Sequence, residues 1–252
     1  MKNKIKAIRS IAGIIVLFAV IILSISACEE EKDSITGMNG VTGGGGSSVS
    51  VQSGSLTLSG KVFTQEWAMA GLNFKEFKGN LNIKNISAGS GSISNGTLNF
   101  TIGTPNQSDM KDINDEFDFS YYYDDVTITD TSVKCFAIYN LEINNSSDYD
   151  YLYLIKVALS GNMSSYKQTF ENVTFVYLDK PVTITGSGRT ETSSEGSTEI
   201  NAPLNLSFTA GWNVICEKSE MESSGGKGLL KRSLLKITPN SSFTWSLGEK
   251  NY

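Results

Sequence analysis

The chain has 252 residues, 39% hydrophobic and 10% aromatic, with 21 basic residues against 26 acidic ones and no histidine. That apolar content is enough for a packed core, so disorder is not the default. The missing histidine excludes Ser-His-Asp and Cys-His nucleophilic systems in their usual form and removes the commonest metal ligand.

The chain opens with a basic head, Lys2, Lys4, Lys6 and Arg9, followed by an apolar run from Ile11 to Ile25 and small residues at Ser26 and Ala27. This is the pattern of a secretory signal. The run is shorter than the ~20 apolar residues that span a bilayer and ends in polar Ser24 and Ser26, which favours a cleaved signal over a membrane span. Ile25-Ser26-Ala27-Cys28 resembles the lipobox of bacterial lipoproteins, in which the cysteine thiol is acylated and the bond before it is cut. The resemblance implies a signal peptide over 1–27, lipidation at Cys28, a membrane partner through the lipid anchor and an address in the cell envelope. Glu29 is not the aspartate that marks inner-membrane retention in some lipoproteins, which points to the outer membrane. Without residues 1–27 the chain keeps 17 basic and 26 acidic residues, a net charge of −9. Such a surface repels phosphate backbones, so no nucleic-acid partner is expected.

Residues 28–53 read as a flexible linker, with Glu29-Glu30-Glu31 at its start and Gly43-Gly44-Gly45-Gly46-Ser47-Ser48 within it. From Gly54 the period becomes two. Leu56, Leu58 and Val62 alternate with polar residues, as do Leu98, Phe100 and Ile102, then Leu204, Leu206 and Phe208, then Phe243, Trp245 and Leu247. Such alternation predicts strands with one face buried. Tyr151 to Leu159 is apolar on both faces and reads as a central covered strand.

Turn chemistry agrees with this pattern. Asn95-Gly96 between Ile93 and Leu98 signals a hairpin with a type I′ turn. Ala210-Gly211 separates two strand-like runs, and Asp179-Lys180-Pro181 precedes another strand, where proline is tolerated. One helix of about two turns is predicted near Met110, Ile113 and Phe117, capped by Ser108 or Asp109. Gly186 to Glu199 and Glu217 to Arg232 read as long polar loops. The expected fold is all-β, an antiparallel sandwich with a barrel as the alternative, in one domain over 54–252.

The densest chemical feature is the stretch Asp109 to Asp125, with Asp109, Asp112, Asp115, Glu116, Asp118, Asp124 and Asp125 around Tyr121-Tyr122-Tyr123. Asp148-Tyr149-Asp150-Tyr151 resembles it in composition. Three consecutive tyrosines in an extended segment cannot all face one core. Tyr121, Tyr122, Tyr123, Asp124 and Asp125 are therefore candidate ligand-binding residues, suited to sugar stacking or to a host or envelope protein. The other reading is a solvated loop whose tyrosines pack inward. No EF-hand spacing is present, and no metal or other cofactor is expected.

Ser-x-x-Lys at Ser164–Lys167 and Ser233–Lys236 lacks the companion motifs of serine acyl-enzymes. No enzyme is expected, although an acidic chain always offers the two carboxylates of a glycan hydrolase. Export favours oxidation, so Cys135 and Cys216 are a candidate disulfide, with free buried thiols as the alternative.

Val176-Tyr177-Leu178-Asp179-Lys180-Pro181-Val182-Thr183-Ile184-Thr185-Gly186, Leu204-Asn205-Leu206 and Gly211-Trp212-Asn213-Val214 together resemble a pattern in uncharacterised β-rich surface lipoproteins of host-associated anaerobes. The pattern is structural in character, with Trp212 as a buried anchor, and implies no chemistry. The function expected is a membrane-anchored, non-catalytic binding or surface module. The alternatives are a glycan hydrolase and an accessory subunit of an envelope complex.

Overall fold

The computed structural model describes residues 47–52, 54–68, 71–162, 165–194, 197–224, 227–238 and 242–250. The signal segment, Cys28 and most of the expected linker lie outside the described residues. The fold is all-β. Its first strands are β1 (Ser48–Gln52), β2 (Ser55–Ala68), β3 (Gly71–Glu76), β4 (Leu81–Ile83), β5 (Gly89–Ser94) and β6 (Thr97–Ile102). Then come β7 (Lys111–Asp112), the one-turn helix α1 (Ile113–Glu116), β8 (Asp124–Ile128), β9 (Lys134–Ile138) and β10 (Leu141–Asn144). The long strands follow: β11 (Tyr149–Asn162), β12 (Ser165–Leu178), β13 (Val182–Ser187), β14 (Arg189–Thr192), β15 (Thr198–Asn201) and β16 (Leu204–Phe208). β17 (Gly211–Ser224), β18 (Lys227–Lys236) and β19 (Thr244–Glu249) complete the domain.

Pairing runs β2–β6–β5–β4–β10–β11–β19 and returns to β2, where β19 lies parallel with Trp245 opposite Val62. The circuit closes, so these strands present no open ladder to aggregate on. The first core lies inside it. Leu56 and Leu58 of β2, Leu98 and Phe100 of β6 and Leu152 and Leu154 of β11 are buried there with Trp245. The indole N–H of Trp245 donates to the Ser59 carbonyl at 3.0 Å, which satisfies the one polar atom of that buried ring.

The β12–β17 ladder divides the interior. Val173 and Phe175 of β12, with Val214 and Cys216 of β17, enter the first core. Val176, Leu178 and Ile215 enter a second core on the opposite face. Strict alternation of side chains across these two strands is what allows one ladder to serve both. The second core is closed by the small sheet β16–β13–β8 and by Ile113, Phe119 and Tyr123. Trp212 is buried in the first core, as expected. Its N–H donates to Gly103 O at 3.3 Å, and its ring meets Tyr177 edge-on at 5.5 Å.

Several expectations change here. β1 falls inside the stretch read as linker: the Ser-Val-Ser-Val alternation is itself a strand signal, and Val49 packs on the first core. Tyr151 to Leu159 is covered one face at a time, with Leu152 and Leu154 in the first core and Ile155 and Val157 in a third cluster with Leu72.

Neither long polar stretch is a loop. Gly186 to Glu199 contains the hairpin β14–β15, and Glu217 to Arg232 lies in the hairpin β17–β18. β13–β14 and β15–β16 form one long hairpin, held in a single register from Val182↔Phe208 to Thr192↔Thr198. Its distal half leaves the small sheet and joins the large one through parallel pairing of β15 with β18. At the crossing, a Cβ on Gly188 would lie 2.5 Å from Asn201 O, so only glycine lets the two chains approach. The helix is also shorter than expected. Ser108 and Asp109 sit in a separate 3₁₀ turn, and Asp112 occupies the position before the helix without a side-chain cap.

The Asn95-Gly96 turn is as read. Both residues have positive φ, 47° and 73°, and Ser94 pairs with Thr97. A Cβ on Gly96 would lie 1.8 Å from Phe77 O. Gly96→Ala is therefore expected to cost about 2–4 kcal/mol from backbone strain and clash, measurable as a lowered urea midpoint.

The two cysteines do not pair. Cys135 of β9 lies opposite Leu178 and is buried in the second core, whereas Cys216 lies opposite Val173 and is buried in the first. The β12 strand stands between them, and both thiols are free. Burial pushes each thiol up to about 12. Both should resist maleimide at neutral pH in the folded domain, since the thiolate is the reactive form. Both should label fully once the unreduced protein is denatured, and a denatured sample in which neither labels would contradict this packing.

Candidate functional site

The segment between α1 and β8 carries the expected tyrosines, and the structure gives each a different environment. A 3₁₀ turn over Phe119–Tyr121 aims Phe119 into the second core and turns the chain, with the amides of Tyr122 and Tyr123 both donating to Phe119 O at 3.1 Å. Tyr123 is only 6% exposed and belongs to that core. The expectation that it offers a contact surface is corrected: its ring is buried in the second core, and burial pushes its phenol up to about 12. Tyr122 is half-buried. Tyr121 is 71% exposed, and its ring stands edge-on to that of Tyr122 at a centroid distance of 4.7 Å and an angle of 82°.

The acids of this segment are largely engaged one by one. Asp109 accepts from Asn106 Nδ2 at 3.1 Å, Asp112 from Lys134 Nζ at 2.7 Å and Asp118 from Ser120 Oγ at 2.7 Å. Glu116 is ion-paired with Lys111 at 2.6 Å. Asp124 and Asp125 are exposed at the start of β8, where Asp125 has a φ of 50° and accepts from Ser187 Oγ at 3.3 Å. Among the described residues no three His, Cys, Asp or Glu side chains converge as a metal site would require. The second acidic-aromatic stretch is likewise dispersed. Tyr149 meets Phe77 edge-on against the first core, and Asp150 faces Lys250 at 3.6 Å.

Beneath Tyr122 lies a group that the sequence does not announce. The Arg232 guanidinium of β18 faces the Tyr122 ring at 5.5 Å from its centroid, and the arginine side chain is only 10% exposed. Its Nε lies 3.0 Å from Glu199 Oε1 of β15, and its Nη1 lies 3.5 Å from Glu217 Oε1 of β17. Register brings these together, since Arg232 stands opposite Ser219 on β17 and Asn201 on β15, and all point to one face. Asn201 Oδ1 is buried there without a hydrogen-bond partner among the described residues. One cation thus holds two carboxylates and one aromatic ring. Burial pushes Glu217 above the ordinary carboxylate range, and Arg232 opposes that shift in part. Burial also raises Tyr122, again against the pull of Arg232.

Comparison with protein-family models, with curated proteins and with solved structures returned no significant match. The candidate site therefore rests on its own geometry. Sequence brings out Tyr121 and Tyr122 because three tyrosines in a row cannot share one face. Arg232, Glu199 and Glu217 carry no such signal, since each lies in a polar stretch without apolar alternation.

The raised pKa of Glu217 sets a pH dependence. Below its ordinary value the group is protonated in both folded and unfolded states and contributes nothing to the difference. As pH rises through the window between the ordinary and the raised value, the unfolded chain ionises first and stability falls. Glu217→Gln removes that loss while Glu199 still balances Arg232. The variant should melt above the parent at neutral pH and together with it in acid, as followed by calorimetry across pH. A variant that melts lower at neutral pH would show that the Arg232 ion pair outweighs desolvation.

Proposed function

We propose that this chain is a lipid-anchored, non-catalytic protein of the bacterial cell envelope whose β domain binds a neutral glycan through Tyr121. The anchor is supported by the basic head, the apolar run and Ile25-Ser26-Ala27-Cys28. Each buried methylene of an acyl chain contributes about 0.8 kcal/mol, and more than one chain makes attachment stable. The absence of an aspartate after Cys28 supports delivery to the outer membrane.

The observation that carries the binding reading is the exposure of Tyr121. It is 71% exposed, against 46% for Val51, the next most exposed large apolar side chain described. An aromatic face held open beside Tyr122, with exposed Asp124 and Asp125 nearby in the chain, suits a ligand that stacks C–H groups and donates hydroxyl hydrogen bonds. The Tyr122 ring already faces an internal cation, which favours a neutral ligand over a cationic one. Arg232 stands between Glu199 and Glu217, so these carboxylates have no room to flank a glycosidic bond. This supports binding over hydrolysis.

The test is electrophoresis of the mature chain through native gels containing mannan, xylan or pullulan. One of these polysaccharides should retard the parent protein. Tyr121→Ser should migrate as in a plain gel while its melting temperature stays within ~1 °C, as expected for an exposed side chain. Retardation by none of them would sink the glycan reading. Retardation that disappears at high salt would instead favour a charged partner steered by the acidic surface. Mass spectrometry of the membrane-extracted protein should find an acylated N-terminus at Cys28, and Cys28→Ala should leave unprocessed precursor.

A further inference from the structure

We infer that Arg232 is the positioning residue of the tyrosine platform, setting the direction in which Tyr121 is presented; this rests on the reading of Tyr121 as the contact surface. The 3₁₀ turn that carries Tyr121 is three residues long and has little stiffness of its own. Tyr121 touches Tyr122 edge-on at 4.7 Å, so the position of the first ring follows that of the second. Tyr122 in turn faces Arg232 at 5.5 Å.

Arg232 is fixed from three directions. Glu199 Oε1 lies 3.0 Å from Nε as an ion pair without a hydrogen bond, Glu217 Oε1 lies 3.5 Å from Nη1, and the Arg232 carbonyl accepts from the Ala202 amide at 2.8 Å. With its side chain only 10% exposed, the guanidinium cannot swing out into water. A planar, delocalised cation enclosed between two carboxylates presents a flat face to the ring, which an ammonium cannot do. The order of the central sheet is thereby carried through β18 and Arg232 to Tyr122, and from Tyr122 to the exposed ring. Among the described charged groups around Tyr122, Arg232 is the one that lies over the ring face; Glu199 and Glu217 oppose its effect on the phenol and flank the guanidinium.

The test places 3-fluorotyrosine at position 121 of the mature chain and records its fluorine resonance without ligand. Removing Arg232 alone would strand two carboxylates. The decisive variant is therefore Glu199→Gln, Glu217→Gln, Arg232→Met, which removes all three charges together, with Arg232→Lys as a second variant that keeps the charge and loses the plane. The parent should give the broad line of a ring fixed to a folded domain. The triple variant should give a narrow line near the position of a free fluorotyrosine, with Arg232→Lys between the two. Its affinity for the polysaccharide that retards the parent should fall about tenfold, between the values for an exposed and a desolvated cation–π contact.

An unchanged line in a folded variant overturns the inference, and unchanged affinity with an unchanged line does so twice over. If the triple variant does not fold, Arg232→Lys decides alone, by line width. If no polysaccharide retards the parent but the line narrows as expected, the glycan reading fails while the positioning role of Arg232 stands.

Discussion

The β12–β17 ladder is the constraint on which the domain depends. Its pairs run without a slip from Ser165↔Ser224 to Leu178↔Gly211. Over its inner half both faces are covered, so each residue is committed to one core or the other by parity alone. A shift of one residue would exchange Phe175 with Val176 and Val214 with Ile215 and empty both cores at once. Burial of a large apolar side chain contributes roughly 1.5–3 kcal/mol, so the correct register is strongly preferred. The buried Asn213 helps to set its start. Its Nδ2 donates to Thr209 O at 2.8 Å and to Gly211 O at 3.0 Å, which ties the turn from β16 to the first residues of β17.

Beyond the cores the same ladder continues with neither face fully covered, and polar contacts take over from apolar ones. Lys156 meets Glu171 at 3.0 Å and Lys167 meets Glu222 at 2.9 Å. Exposed pairs of this kind are worth little individually. They keep the outer ladder soluble and discourage other pairings. Arg232 is different because it is enclosed. A buried cation without partners would be costly, and two carboxylates and an aromatic face are what make it tolerable. The cost of the arrangement shows in the raised pKa of Glu217 and in the unpaired oxygen of Asn201.

That cluster also links fold to proposed function. The long hairpin from β13 to β16 must cross from the small sheet to the large one to close the second core, and its crossing brings Glu199 beside Arg232. The chain segment that supplies Tyr123 to this core sends Tyr122 onto the guanidinium and leaves Tyr121 in water. One tyrosine serves packing, one serves support and one remains free for contact. The difference follows from where each ring falls around a tight turn.

The sequence by itself determined the strand content, the Asn95-Gly96 turn, the burial of Trp212 and the exposure of at least one of three adjacent tyrosines. Each of these follows from local physics: side chains alternate along a strand, a type I′ turn needs positive φ, and an indole is too large to leave wet. The tertiary structure decided the rest. Cys135 and Cys216 both read as buried in strands, yet the strand between them sends them to different cores, and only cross-strand register could say so. Gly186–Glu199 and Glu217–Arg232 read as loops because a strand half-exposed on both faces has no period of apolar residues to detect. Glu199, Glu217 and Arg232 meet because three such strands pair in one register. That register is imposed by the buried ends of the strands, and nothing in the polar stretches themselves encodes it.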